Sequence, residues 1–378
     1  MKNRMPFFEG VAIIVGTIIG AGIIGVPYVF AESGFLTATL VLIFIGLALL
    51  FVRLMLGEVI MRTEGVYQLT GYTKRYLGTF FQNLQAVILI TSIFGTLLAY
   101  MVSQGDILSE LLGGNPVFWT LVFYLSFSFL VIFGIDVVKR SELLMIVAIF
   151  FIMVIIAGYS APQINVSFLF DLDLSGSNIL LPFGVIMFAC AGLVSVPAAW
   201  RVVKRAGRED LYKSVLIWGG VIPPVIYLIF ALLVVGITGP ETSQVATVSL
   251  GEVIGPHMVI IGNVFAFFTV ATSFLTIALA QQDIFQQDYK LSRPLASSLV
   301  VTVPLVLFAL GVRDFIGIIS VVGALMVGVN GLLAVLLFWK AREHGEVEPY
   351  FAIPAWIAAP ASIFLVVVFV AGLISIFV

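Results

Sequence analysis

Eleven long apolar stretches separated by short polar ones limit what this 378-residue chain can fold into. A helix needs about 20 apolar residues to cross about 30 Å of hydrocarbon. Segments meeting that template lie near 7–30, 35–61, 78–104, 117–135, 143–160, 179–200, 214–237, 257–282, 294–311, 315–339 and 353–378, numbered here as spans 1 to 11. Only 10% of the residues are charged, against roughly 25% in an average soluble domain, and the mean hydropathy is +1.20. The chain therefore reads as an all-α integral membrane protein, a single domain over 1–378. Span 1 follows Lys2 and Arg4 as a secretory signal core would, but it is longer than the roughly 7–15 residues of such a core, so it is expected to remain.

Basic residues gather on the cytoplasmic side of membrane proteins. With the N-terminus in the cytoplasm and eleven crossings, sixteen of the 18 lysines and arginines fall inside, from Lys2 to Arg342; Arg313 falls outside and Arg53 lies within span 2. One miscounted span would scramble that bias. The C-terminus is then extracytoplasmic, and the expected location is the cell (plasma or inner) membrane. The outer stretch 236–256 reads either as a short lid helix or as an ordinary connector.

Composition also excludes partners. A net charge of −2, a single cysteine (Cys190) and two distant histidines (His257 and His344) leave no disulfide, no zinc or haem ligand set and no basic surface for nucleic acid. No cofactor is expected beyond a coupling ion, and the expected activity is not enzymatic. The partners implied are the lipid bilayer and a small molecule; nothing in the sequence sets an oligomeric state.

Span 1 contains GTIIGAGIIGVP, with Gly16, Gly20, Gly22, Gly25 and Pro27 in one stretch that ought to be continuous helix. An unsatisfied backbone group in hydrocarbon costs several kcal/mol, so an interrupted helix survives only where its released groups are buried in protein or face a polar cavity. Span 6 carries a matching interruption: GIIGVP at 22–27 is echoed by GLVSVP at 192–197, 170 residues on. Span 1 runs outward and span 6 inward, as in an inverted five-plus-five repeat over 7–160 and 179–339, with 353–378 as an additional helix. Released amides would suit a carboxylate and released carbonyls a cation, which makes the break a candidate zwitterion site. The competing reading of Gly16 and Gly20 is a GxxxG packing face.

Two hydroxyl stripes accompany the break. Thr269, Thr272, Ser273 and Thr276 share one face of span 8, and Ser92, Thr96, Tyr100 and Ser103 share one of span 3. The span 8 stripe is expected to meet the carbonyls of Gly16 and Ile19 in an oxygen-lined cation site, with Tyr100 offered to substrate; back-bonding within each helix is the alternative. A charge at mid-bilayer costs at least about 2.5–3.5 kcal/mol. Arg53 and Glu58, with Glu9 and Asp283 at helix ends, read as interfacial anchors or inner-gate and proton-coupling candidates. With no deeply placed carboxylate, a substrate with a neutral side chain is expected.

GTIIGAGIIGVPYVFAESGF, LGEVIMRT with YQLTGYTKRYLG, FGTLLAYMVSQGDIL and ATSFLTIALAQQD resemble the hydroxy/aromatic amino acid permeases, in the amino acid/auxin permease branch of the amino acid-polyamine-organocation superfamily. The resemblance implies the leucine-transporter type of fold, with substrate between broken helices 1 and 6. It implies a carboxylate site on the main chain of Gly20, Ala21 and Gly22, with Ile23 adjoining, and a wall of Phe188, Ala189 and Cys190, with Tyr100 lining span 3. Members of the family commonly read LGLFDY at the end of span 8, where this chain reads LAQQDIF, keeping Asp283. Thr272 and Ser273 are similar to the ligands of sodium-coupled members of the fold, and span 5 lacks the lysine of some proton-coupled ones. The expected function is ion-coupled import of a neutral amino acid, aromatic or hydroxylated, by alternating access, with sodium favoured over protons. A non-transporting amino acid sensor using the same pocket is the alternative.

Overall fold

The computed structural model describes residues 4–133, 151, 154–155, 157–159, 161–287 and 289–375. Span 5 and the basic pair Lys139 and Arg140 fall mostly or wholly outside these residues. The described chain is all helical, with short 3-10 turns. Helix α1 (Met5–Ile18) and α2 (Gly22–Glu32) form a pair bent by 58°. They are followed by α3 (Phe35–Met61), the short α4 (Leu69–Leu77), α5 (Thr79–Leu112) and α6 (Pro116–Phe133). Then come α7 (Gly176–Ala189), α8 (Val196–Arg205), α9 (Tyr212–Thr238), α10 (Ala246–Ile254), α11 (Pro256–Gln287), α12 (Arg293–Ala309), α13 (Phe315–His344) and α14 (Ala355–Ile374).

Among the described residues seven helices are long and apolar enough to cross a membrane, or up to eight if the bent pair is one span; Pro116–Ile132 and Arg293–Ala309 are shorter apolar helices. Several helices outrun their apolar cores. At 1.5 Å per residue the 34 residues of α5 reach about 51 Å, past the polar Gln104–Asp106 stretch that ends its apolar run. The outward faces of α3 and α14 expose Leu40, Ile43, Leu47, Ile363, Val367 and Val370, apolar surface on a scale that fits a lipid contact rather than water.

Small residues set the closest packing. A Cβ on Gly323 would run into the Gly184 carbonyl and the Phe188 amide, and one on Gly184 into Ser320, so α7 and α13 touch backbone to backbone. The stretch 236–256, read as lid or connector, contains α10, which packs on α11, α9 and α2. The basic stretch 62–77 between spans 2 and 3 contains α4. Its Leu69, Tyr72 and Thr73 are buried at helical spacing, and Thr73 donates to Gln85 (2.7 Å), which donates to Asn330 (3.1 Å), tying α4 to α5 and α13.

Glu58, read from the sequence as an interfacial anchor or inner-gate candidate, is fully buried. Its carboxylate accepts from Arg62 Nε (2.9 Å), Arg342 Nε (3.0 Å) and the Ile353 amide (2.7 Å), so the 345–354 connector lies across the end of α3. A second clasp joins Arg75 to Glu346, which also accepts the Glu64 amide at 2.9 Å. Arg75 first, and then that amide, hold the Glu346 carboxyl below its usual range. A lowered folded-state pKa stabilises above the unfolded value, about 4.3 for glutamate, and the contribution fades as pH falls through the lowered one. Glu346→Gln is therefore expected to lower the thermal midpoint at pH 7, and the gap from wild type should close as the buffer is acidified; melting curves across that range check it.

Candidate substrate and ion site

The site is built where two helices stop. Ile19 is the last amide to close onto α1, at 2.8 Å from the Val15 carbonyl, so the carbonyls from Gly16 onward leave the intrahelical ladder. Helix α2 begins at Gly22, where Ile23 and Ile24 donate to the Gly20 and Ala21 carbonyls. In span 6, Cys190 caps α7, and Ala191 and Gly192 lead through a 3-10 turn into α8. Gly192 has φ +153°, and a Cβ there would lie 2.5 Å from Ile18, so glycine is what lets the two breaks pass each other. Gly22 has the same reason: its Cβ would stand 2.6 Å from the Ala189 backbone.

The released carbonyls are met by two side chains from the neighbouring spans. The Tyr227 hydroxyl of α9 lies 2.8 Å from the Ile18 carbonyl and 2.9 Å from that of Ala189, joining the ends of α1 and α7. Arg53 of α3 donates through Nη2 to the Cys190 carbonyl at 2.5 Å. Arg53 is 1% exposed. Its reading as an interfacial anchor is corrected by this position in the core, where a carbonyl at a helix end faces the guanidinium.

A cavity of about 410 Å³ runs from the break to the α4 end of the molecule, the side on which the chain enters α1. Gly16, Thr17, Gly20, Gly22, Thr96, Tyr100, Phe188, Ser273 and Thr276 line its deep part, and Gln68, Thr70, Ala280 and Ile284 line its mouth. Thr17 and Val194 are exposed beside the break, whereas Ile23, Ile24 and Ile107 beyond it are fully buried. The cavity is therefore open toward α4 and closed on the opposite side. Among the described residues no aspartate, glutamate, lysine or arginine lines it.

Tyr100 lines the cavity with its hydroxyl beside the Ala21 main chain and the Ser273 hydroxyl. A Cβ on Gly20 would stand 3.0 Å from the Tyr100 hydroxyl and 3.3 Å from Ser273 Oγ, so Gly20, Tyr100 and Ser273 meet at one point. Gly16 lines the same cavity, and Ile19 is buried beside it. The Thr269 hydroxyl lies 2.9 Å from the carbonyl of Phe265 on its own helix, and the side chains of Thr272 and Asp283 lie outside the described residues. Glu9 is exposed near the start of α1.

In span 6 the lining is displaced from the expected wall. Phe188 lines the cavity, but Ala189 and Cys190 face Tyr227 and Arg53, and Ala191, Gly192 and Val194 take their place. Ala21 and Ile23 are fully buried rather than lining, Ala21 reaching Tyr100 through its main chain. Sequence reasoning missed Tyr227 and the α4 residues at the mouth. Within the departure at the end of span 8, Ala280 lines the cavity and Gln282 donates to Ser297, while Gln281 is buried with neither amide atom hydrogen-bonded.

Residues 3–377 match the tryptophan/tyrosine permease family. The chain belongs to that family. This agrees with the resemblance to the hydroxy/aromatic amino acid permeases, and with its run of apolar helices the chain is a multi-pass membrane protein. Two relatives are similar over most of their length. "Glutamine transporter 2" of Aliivibrio fischeri is 23% identical over 360 residues, 91% of this chain and 92% of that one. "Tyrosine-specific transport system 1" of Haemophilus influenzae is 23% identical over 360 residues, 89% of each. Among solved structures this permease resembles MhsT in complex with L-phenylalanine (TM-score 0.60, 18% identity, 99% of this chain and 98% of that one). It also resembles Mhp1, a nucleobase-cation-symport-1 family transporter in a closed conformation with bromovinylhydantoin bound (TM-score 0.58, 14% identity, 98% and 90%). The permease therefore has the leucine-transporter type of fold.

Removing the hydroxyl that joins the two half-helix ends tests how far the site depends on it. Tyr227→Phe leaves two buried carbonyls without their shared donor and is expected to destabilise the protein by about 1–3 kcal/mol. Thermal unfolding in detergent reads this, with a Tyr→Phe change at the exposed Tyr350 as the reference.

Proposed function

We propose that this permease is a secondary active transporter that imports a neutral amino acid, aromatic or hydroxylated, with a coupling cation. The observation that carries the reading is the cavity: two helix breaks, a tyrosine and a phenylalanine enclose it, and none of its described lining residues is charged. The ammonium and carboxylate of a free amino acid would find main-chain partners there, and an uncharged side chain would lie against Phe188, Ile93 and Thr96. A lysine or arginine side chain would have no counter-charge. Relatives whose names specify glutamine and tyrosine transport support an amino acid substrate.

Sodium is favoured over protons as the coupling ion. Carbonyls of Gly16 and Ile19 with the Ser273 hydroxyl, and Thr272 adjoining it in the sequence, would supply the oxygen-only donors that hard cations prefer, and no described acidic residue lines the cavity as a proton carrier. The breaks, 170 residues apart in like motifs, support eleven spans as inverted repeats over 7–160 and 179–339 with 353–378 added. The N-terminus is then cytoplasmic and the C-terminus extracytoplasmic in the cell membrane, so the cavity as it stands is open inward. Alternating access closes this mouth and opens the opposite side, driven by different ligand affinities in the two states.

The deciding experiment is uptake of tryptophan, tyrosine, phenylalanine, serine, threonine, glutamine and lysine into proteoliposomes under an inward sodium gradient, an inward proton gradient, or neither. Sodium-driven accumulation of neutral substrates but not lysine is expected, and Thr272→Val with Ser273→Ala should abolish the sodium dependence while the protein still folds. Proton-driven uptake that the double variant leaves intact would return the stripe to helix packing. Gly20→Ala pushes a methyl group against Tyr100 and is expected to weaken binding of the transported amino acid by about tenfold, near 1.4 kcal/mol, as read by equilibrium binding.

A further inference from the structure

Arg53 carries a full charge in the core of span 2 with no carboxylate partner among the described residues. One of its three nitrogens reaches the Cys190 carbonyl; Nε and Nη1 have no hydrogen-bond partner. A buried charge without compensation is strongly disfavoured in lipid, so something nearby must hold it. What lies opposite is a pair of helix ends. Cys190 caps α7 at its C-terminus, and the carbonyls ending α1 and α7 come within 2.8 and 2.9 Å of the single Tyr227 hydroxyl oxygen, so the two C-termini converge. Each helix C-terminus carries about half a negative elementary charge. Two together make roughly one, which one guanidinium can balance.

The geometry points to Arg53 as a resident cation at the negative pole made by the two broken helices, a positioning residue that holds the span 6 break and stands where a transported cation would otherwise be drawn. This goes beyond the transport reading, on which only its consequence for coupling rests. With the Cys190, Ala189 and Ile18 carbonyls already engaged by Arg53 and Tyr227, the carbonyls left for a mobile cation are those of Gly16 and Ile19, in the stretch whose Gly20 adjoins Ser273. The permease accordingly has room for one coupling cation at its breaks. Gly220 of α9 adjoins the guanidinium: its Cβ position stands 3.4 Å from Arg53 Nη1 and 3.0 Å from Leu50, which leaves little space there for a side chain longer than alanine's.

Cys190 is the one cysteine in the chain and is buried beside the bond in question, so its alkylation by N-ethylmaleimide reports on the break without reference to any substrate. In the full chain in lipid nanodiscs, Arg53→Lys keeps the charge, and Arg53→Gln keeps a donor for the carbonyl but not the charge. The expected result is a Cys190 rate within about threefold of wild type for Arg53→Lys and at least about tenfold faster for Arg53→Gln, the scale of one charge-assisted hydrogen bond. Lysine and glutamine variants that behave alike would overturn the proposal, because hydrogen bonding alone would then account for the contact. Wild-type protein supplies a second reading. Sodium should promote tryptophan or tyrosine binding with a Hill coefficient near one and no effect of replacing chloride by gluconate; a coefficient near two, or a chloride requirement, would also overturn it. Should wild type bind none of the amino acids, the transport reading fails, while the Cys190 comparison still decides the role of Arg53.

Discussion

The structure depends on how it satisfies the carbonyls that its two broken helices release. In hydrocarbon such groups have no water to turn to, and the chain meets them with a phenol and a guanidinium brought in from spans 7 and 2. Tyr227 and Arg53 together reach the carbonyls of Ile18, Ala189 and Cys190. That leaves the other side of the break, around Gly16, Gly20 and Ser273, to form the wall of a cavity. The molecule thus divides its interrupted backbone in two, one part satisfied by protein and one presented to whatever enters.

The glycines do different work at each position along the break. Gly22 and Gly192 are needed because the opposing helix comes too close for a side chain, whereas Gly20 faces Tyr100 and Ser273 across the cavity. Close helix packing thus accounts for Gly22 and Gly192, while Gly16 and Gly20, read either as a GxxxG packing face or as part of a binding site, line the cavity. Backbone contact between α7 and α13 at Gly184 and Gly323 extends the same principle away from the site.

Much of this was legible in the sequence because glycine and proline in an apolar run are conspicuous, as are long hydropathic segments. Tyr227 was not, since a single tyrosine in the apolar run YLIFALL gives no periodic signal and its partners lie 209 and 38 residues away. Arg53 was visible as a charge within a span, but its depth was not, because that depends on how far α3 and its neighbours extend beyond the lipid. The span 6 wall includes Ala191, Gly192 and Val194 rather than Ala189 and Cys190, whose carbonyls are held by Tyr227 and Arg53, partners that no local sequence signal reveals. The α4 helix escaped notice because its 9 residues are too few to read as a span and its three buried residues give only one turn of periodic signal.

A phenol has one proton, and Tyr227 has two carbonyls within reach of it. At any instant the hydroxyl donates to Ile18 or to Ala189, and a rotation about its C–O bond transfers the donation from one half-helix to the other. The joint between α1 and α7 behaves as a swivel pin rather than a rivet: small relative movement of the two ends exchanges one half-made bond for another, and neither end must be fully stripped for the helices to shift.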